Sequence, residues 1–393
     1  MVNLLPAILM GGPPHAGKSV LYYNLAQALR KRGIPFHAIR ACPDGEGDWS
    51  QEIDQDVIWN IRVKGEWTDM FVQRICRDLE QRLLPILVDM GGRPQGPQVG
   101  ILQQCTHSLL LLRSDDPESA ASWSQLAETH GLLPLARILS AREGDSQLIE
   151  EEPVVTGTLV GLERGSPATG PLFESLVNRV DALFSSYSRK DLEKTLFDLA
   201  PTELAIDLVL SLHMLAPQAT RWEPRMIPAL LDSIPASTAL SVYGHGPQWV
   251  YAALAAHAGQ ASFYQFDPRL GEQNAGWVAP PSLQFGTASS PEITVKVDEY
   301  EQARVLRISL AIKHLDYLEA DALLFPPVSP DAGLILYGSM PSWLVTALVR
   351  LYQRAGMPWI ACYSPPLHGA VVVYSRSDKK VSMPGELIPL PQT

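Results

Sequence analysis

The segment Gly12-Pro13-Pro14-His15-Ala16-Gly17-Lys18-Ser19 fits the pattern G-x-x-x-x-G-K-[ST] without a mismatch. It follows an apolar run at residues 4–10. It opens a stretch in which Leu21, Leu25, Ala28 and Leu29 recur at helical spacing before Gly33. A strand, a glycine-rich turn and a helix in that order leave the chain little choice of fold. Glycine at both ends lets the backbone curl so that successive N–H groups face one point, and the helix N-terminus adds its dipole there. Such a point suits phosphate. Lys18 reaches the outer phosphates, and the Ser19 hydroxyl ligates Mg²⁺. A second apolar strand, residues 84–88, ends in Asp89 ahead of Gly91 and Gly92, which brings a carboxylate to the metal shell. ATP or GTP with Mg²⁺ is therefore the expected ligand of Gly12, Gly17, Lys18, Ser19 and Asp89. The motif fixes a mode of binding and not a reaction.

The rest of the first half alternates strand and helix signals. Residues 35–40 and 108–112 read as strands, and 136–139 and 154–160 as weaker ones. Thr68 or Asp69 caps a helix expected to run through Leu83, with Val72, Ile75 and Leu79 on one face. Strands separated by helices imply a parallel sheet with helices on both faces. In such a sheet, the acidic turn after the second strand lies at the same rim as the phosphate loop. Asp44 is the candidate there, with Glu46 and Asp48 beside it, to orient a water, act as a base or contact metal. A solvated acidic turn explains these residues equally well. Asp115 or Asp116, after the fourth strand, caps a helix or meets the nucleotide base.

The second half carries a weak internal repeat. Gly244-His245-Gly246-Pro247-Gln248-Trp249 is matched by Gly338-Ser339-Met340-Pro341-Ser342-Trp343, at an offset of 94 residues. Each follows a strand-like run and opens an apolar helix and a further strand, so a duplicated module is the favoured reading. Trp249 and Trp343, just inside apolar helices, read as core more readily than as stacking surfaces for a base. The expected organisation is a P-loop domain at 1–170, a polar helical connector at 171–200, and two tandem α+β repeats at 201–290 and 291–393 forming a pseudo-dimer.

Composition narrows the function classes. Of 393 residues, 46% are hydrophobic and 19% charged, enough apolar content for packed cores. A net charge of −11 argues against broad binding to duplex nucleic acid. No apolar run is long enough to span a membrane, and no basic leader precedes the motif. Cys42, Cys76, Cys105 and Cys362 lack metal spacing and read as reduced thiols of a cytoplasmic protein.

The run from Val242 to Trp249, the helix ending at His257, and Phe266-Asp267-Pro268-Arg269-Leu270-Gly271 resemble the CRISPR-associated ring nucleases of the Csx-three type. That family carries a G-x-G-P-x-W turn before a helix and an aromatic-D-P-R-L-G strand end. Residues 333–343, 358–367 and 369–374 follow the pattern with losses. Members with a P-loop domain of the AAA-labelled kind fused in front are similar in architecture to this chain.

The resemblance implies a phosphodiesterase that binds cyclic tetra-adenylate and cleaves it to linear oligoadenylates, lowering type III CRISPR signalling. It also implies manganese-dependent activity on RNA ends and a dimerising α+β domain, whose dimer the two repeats would form within one chain; a homo-oligomer bridged by the messenger is a further expectation. Asp267 and Arg269 fall on the family's aspartate and arginine. His257 resembles a family histidine, and His245 takes a variable position that is often basic. In the second repeat these places hold Ser364 and Pro366, so one half-site at most is competent. Read as chemistry, an RNA 2′-hydroxyl needs only orientation, a base and charge stabilisation to attack its phosphodiester. His257 or His245 is the candidate base, Arg269 the charge stabiliser, and Asp267 an orienter or Mn²⁺ ligand. The plainer reading makes Asp267 a turn cap and His257 a helix-terminal histidine. Two rival functions remain at this level: a sensor of the cyclic messenger that gates a P-loop NTPase or kinase, and a small-molecule kinase with a structural second half.

Overall fold

The structure is a computed structural model, and it describes residues 5–43, 67–163, 165–186, 189–287, 293–300, 303–310, 315–376 and 382–390. Among these, one compact unit comprises residues 5–43 and 67–196 together with Pro268–Ala275. The other comprises Phe197–Asp267 and the residues from Gly276 onward.

The first unit is built on seven strands: β1 (Ala7–Gly11), β2 (His37–Arg40), β3 (Ile86–Asp89), β4 (His107–Arg113), β5 (Leu133–Ala141), β6 (Gln147–Glu150) and β7 (Val155–Val160). Their order is β2-β3-β1-β4-β5-β7-β6, parallel except for β6, which runs against β7. β1 and β3 are buried at every residue, as expected of strands covered on both faces. β6 is largely exposed and lacks apolar alternation, so no periodic signal announces it. The helices are α1 (Lys18–Lys31), α2 (Asp69–Glu80), α3 (Val99–Gln103), α4 (Pro117–Thr129), α5 (Pro171–Phe184) and α6 (Arg189–Asp198).

Thr68 caps α2 by accepting from Phe71 N–H at 3.1 Å, and Asp116 caps α4 by accepting from Ser119 N–H at 3.1 Å. α2 stops at Glu80 rather than at Leu83, because Arg82 folds back to donate to the carbonyls of Leu79 and Leu5. The expected connector is also corrected. Leu172, Phe173, Leu176, Val177, Val180 and Phe184 on α5 are buried in the first unit's core. The helical run breaks after Ser185, the C-cap of α5, and resumes with α6.

The second unit begins with β8 (Leu204–Asp207), α7 (Leu208–Leu215), α8 (Ile227–Asp232), β9 (Leu240–Tyr243), α9 (Gln248–Ala258), β10 (Phe263–Phe266) and β11 (Trp277–Val278). It continues with β12 (Gln284–Phe285), β13 (Ile293–Tyr300), β14 (Ala303–Leu310), β15 (Leu324–Phe325), β16 (Gly333–Tyr337), α10 (Ser342–Arg354), β17 (Trp359–Ser364), β18 (Gly369–Ser375) and β19 (Leu387–Pro389). One sheet has the order β8-β9-β10-β11, with three parallel strands and an antiparallel fourth. A second contains β14-β16-β17-β18 with the same parallel and antiparallel pattern, extended by β13 and β19 at its edges, and β12 pairs with β15 in a small parallel sheet of two strands.

In each sheet one helix, α9 or α10, links the second strand of the set to the third. Both helices lie in one apolar core, where Trp249 and Trp343 are buried. Gln265, almost wholly buried on β10, donates to Ser342 Oγ at 2.7 Å and accepts from Thr346 Oγ1 at 3.1 Å, tying the two halves together. All four cysteines are free thiols. Among the described residues, no helix is long and apolar enough to cross a membrane.

Candidate functional site

Register places the phosphate loop. Met10 on β1 pairs with Asp89 on β3, and Arg40 on β2 pairs with the same Asp89. Three neighbouring strands therefore end at one rim, Asp89 closing the middle one, β3, and the loop and α1 rising from β1 beside it. Gly12 has φ +150°, and a methyl group on it would fall 1.9 Å from the Leu111 carbonyl oxygen. Gly17, the N-cap of α1, has φ +87°, and a methyl group there would fall 2.8 Å from Leu162 Cβ. Both motif glycines are thus required by backbone shape and by packing.

Lys18 is buried and turns back into the loop, where its Nζ donates to the carbonyls of Gly12 at 2.9 Å and Pro13 at 2.7 Å. Burial lowers its pKa, and the nearby Asp89 carboxylate opposes that shift. Ser19 Oγ donates weakly to Asp89 Oδ2 at 3.4 Å. Asp89 is fully buried.

The sequence reading missed Arg40. Its Nε lies 3.4 Å from Asp89 Oδ2, and its Nη2 donates to Ser19 Oγ at 3.4 Å. The guanidinium thus balances the buried carboxylate while touching both groups assigned to the metal. Its position at the end of the second strand, on the loop's rim, was the available signal.

The donor set fits a nucleoside triphosphate with Mg²⁺. Backbone N–H groups at the start of α1 and the Lys18 ammonium suit phosphate, and the Ser19 hydroxyl and Asp89 carboxylate suit a hard cation. Asp44, Glu46 and Asp48 lie outside the described residues. Asp115 is held by its own neighbour, with Arg113 donating to both carboxylate oxygens at 2.8 and 2.7 Å.

A second group of chemistry-bearing residues gathers at the carboxyl ends of β8, β9 and β10. Asp207 ends β8 and caps α7, its Oδ1 accepting from Val209 N–H at 2.7 Å. His245 lies exposed in the turn after β9, and Asp267 lies buried directly after β10. Tyr251, on the first turns of α9, donates to the Gly244 carbonyl. Burial raises the Tyr251 pKa, and the carboxylates of Asp267 and Asp207 raise it further. Asp207 and Tyr251 are additions to the residues expected from sequence. The signal for Asp207 was an acidic residue between a strand and a helix.

His257 is not part of this edge. α9 carries the chain back toward the amino ends of the strands, about 16 Å over its eleven residues. There His257 Nε2 lies 2.8 Å from the Ile234 carbonyl oxygen. The expected partnership of His257 with Asp267 therefore fails on topology, and the plainer helix-terminal role stands. Arg269 belongs to the segment Pro268–Ala275, which groups with the first unit. Among the described residues, no group of three or more His, Cys, Asp or Glu side chains converges as a metal site.

The matching edge of the other half is chemically different. Where Asp207 pairs with Tyr243, Arg307 pairs with Tyr337. The Arg307 guanidinium lies 4.5 Å over the Tyr337 ring, which stacks on Tyr363 at 4.3 Å. Burial and the neighbouring Tyr337 push the Tyr363 pKa up to about 12.

The family described as CRISPR-associated protein (Cas_csx3) matches residues 309–389. The match spans the end of β14 through β19, the half with Ser364 and not the half with Asp267. No curated protein matches the chain. Among solved structures, the chain is similar to the signal recognition particle 54 kDa protein of Aeropyrum pernix K1 in complex with GDP, at 13% identity and a TM-score of 0.28. That alignment covers 60% of this chain and spans only 55% of the other, a likeness too loose to bear on fold or function.

Proposed function

We propose that this chain is a CRISPR-associated enzyme whose second unit binds cyclic tetra-adenylate and opens it to linear oligoadenylates, with a P-loop unit that binds ATP or GTP and regulates that step. The family match at residues 309–389 carries this reading. The shared strand order of the two halves supports a duplicated module, which would form within one chain the pairing that the family makes from two. On this reading the protein is cytoplasmic and homo-oligomeric, with the messenger bridging copies.

In the ring-opening step a ribose 2′-hydroxyl attacks the adjacent phosphorus. The P–O5′ bond breaks, leaving a 2′,3′-cyclic phosphate and a free 5′-hydroxyl. His245 takes the 2′-hydroxyl proton, since it is the imidazole on the edge that carries Asp267. Asp267 orients that edge; Arg269, which the resemblance would set against the phosphorane charge, groups with the first unit and takes no part in this step. In the first unit, Lys18 and the N–H groups of the loop would hold the phosphates, and Ser19 and Asp89 would hold Mg²⁺, which would supply neutralisation of the phosphate charge.

The test is a product analysis of cyclic tetra-adenylate incubated with the protein, with and without ATP. Linear products are expected, reduced by about 100-fold or more in His245→Ala and Asp267→Asn. A ring that binds and stays intact would replace this reading with the messenger sensor. Ser364 and Pro366 in the second half, and the distant His257, are what favour that alternative.

A further inference from the structure

The amino end of β10, opposite to Asp267, borders a cavity of about 240 Å³ in the second unit. Arg350 and Arg354 of α10 line it, together with Gln260, Ser262, Tyr264 and the Pro280-Pro281 wall. Arg350 Nη2 donates to the Ala261 carbonyl at 2.8 Å. Its Nη1 is buried with no acceptor among the described residues. Burial, and then the Arg354 cation one turn along, lower the Arg350 pKa.

Two like charges four residues apart on a helix repel each other. A guanidinium N–H buried without an acceptor adds a desolvation cost. Neither arginine is paired with a carboxylate among the described residues. Asp321, near the rim, already accepts from Ser282 N–H at 2.8 Å. In a chain of net charge −11, a pocket with two unneutralised guanidiniums is a local inversion of sign.

We propose that this pocket binds a phosphate group, either free or as the phosphomonoester of a nucleotide. A dianion cancels both charges at once, which a carboxylate cannot do. A tetrahedral phosphate also has enough oxygens to accept from two guanidiniums and from the Ser262 and Tyr264 hydroxyls. The site is separate from the phosphate loop, which belongs to the first unit, and β10 sets it about 13 Å from the Asp267 edge. It does not depend on the ring-opening reading.

The experiment is calorimetric titration of the full-length Lys18→Ala protein, in which the phosphate loop is disarmed. Inorganic phosphate, adenosine 5′-monophosphate and adenosine are the three probes. Phosphate or the monophosphate should bind and adenosine should not; tighter binding of the monophosphate assigns the nucleotide source, and equal binding assigns free phosphate. Adding Arg354→Met should weaken binding by about tenfold or more, the loss of one charge-assisted contact, and Arg354→Lys should restore part of it. Arg354 is exposed and leaves the Ala261 hydrogen bond intact, so the test survives if Arg350→Gln does not fold. Absence of binding in the Lys18→Ala protein, or binding unchanged by Arg354→Met, would overturn the proposal.

Discussion

At Gly12, one methyl group decides whether the phosphate loop can form. The position combines φ +150° with a backbone oxygen 1.9 Å from where a Cβ would stand, and a main-chain carbonyl does not move aside as a side chain would. Gly12→Ala should therefore cost about 3 kcal/mol or more, seen as a lowered melting temperature. Gly92→Ala, with nothing within 4 Å, is the control and should melt like the parent. Equal melting of the two variants would refute the steric account. Arg40 is the other decisive residue at this site. Arg40→Ala leaves the fully buried Asp89 without its guanidinium and should destabilise the Mg²⁺-free protein by on the order of 3 kcal/mol. Mg²⁺ with ATP should then restore more stability to the variant than to the parent. A thermal shift equal in both proteins would show that Arg40 and the cation do not share the place. Lys18, Ser19 and Asp89 were legible in the sequence because a contiguous motif and a strand end mark them. For Arg40 the only signal was its place at the end of the second strand; its partners appear only when β2 and β3 come into register.

At the scale of elements, most of the sheet in the first unit was readable, since buried parallel strands are short apolar runs between helices. Two kinds of element were not. β6 is an exposed edge strand with no period to detect, and α5 is a core helix whose polar continuation made the whole stretch resemble a connector. His257 illustrates the same limit: the family resemblance suggested a site, but a strand–helix–strand path puts the two ends of the helix at opposite edges. The amino edge of the first sheet also carries a titratable group. His107 begins β4, lies 2.8 Å from Thr106 Oγ1, and has its pKa lowered by burial and by Arg179 of α5. A histidine titrating below its usual 6.5 binds fewer protons folded than unfolded in that window. Its contribution to stability is therefore complete above about pH 6.5 and is lost as pH falls toward the folded value. Urea midpoints at about pH 7.5 and pH 5.5 should differ more for the parent than for His107→Gln. An identical acid-side loss in both would assign the effect elsewhere.

For the whole molecule, the boundary between units does not follow the two halves of the sequence. The chain leaves the second unit between Asp267 and Pro268 and returns to it at Gly276. The eight residues between belong with α2's end. Pro268 O accepts from Leu83 N–H at 3.1 Å, and a methyl group on Gly271 would fall 2.3 Å from the Gln81 carbonyl oxygen. The residue that follows Asp267 is thus covalently the start of a first-unit segment, a link no spacing in the sequence discloses. This makes a prediction that an N-terminal versus C-terminal division would not make. Two calorimetric transitions are expected, and ATP with Mg²⁺ should raise the one belonging to the first unit. Gly271→Ala, although it lies deep in the second half of the sequence, should lower that ATP-sensitive transition. A packing cost of about 2 kcal/mol corresponds to about 4–8 °C in a unit of this size. The ATP-insensitive transition should hardly move. If instead Gly271→Ala lowers only the ATP-insensitive transition, the segment's stability belongs to the second unit. The Asp267 turn would then have no mechanical tie to nucleotide binding, and regulation of ring opening by the P-loop unit would need another route.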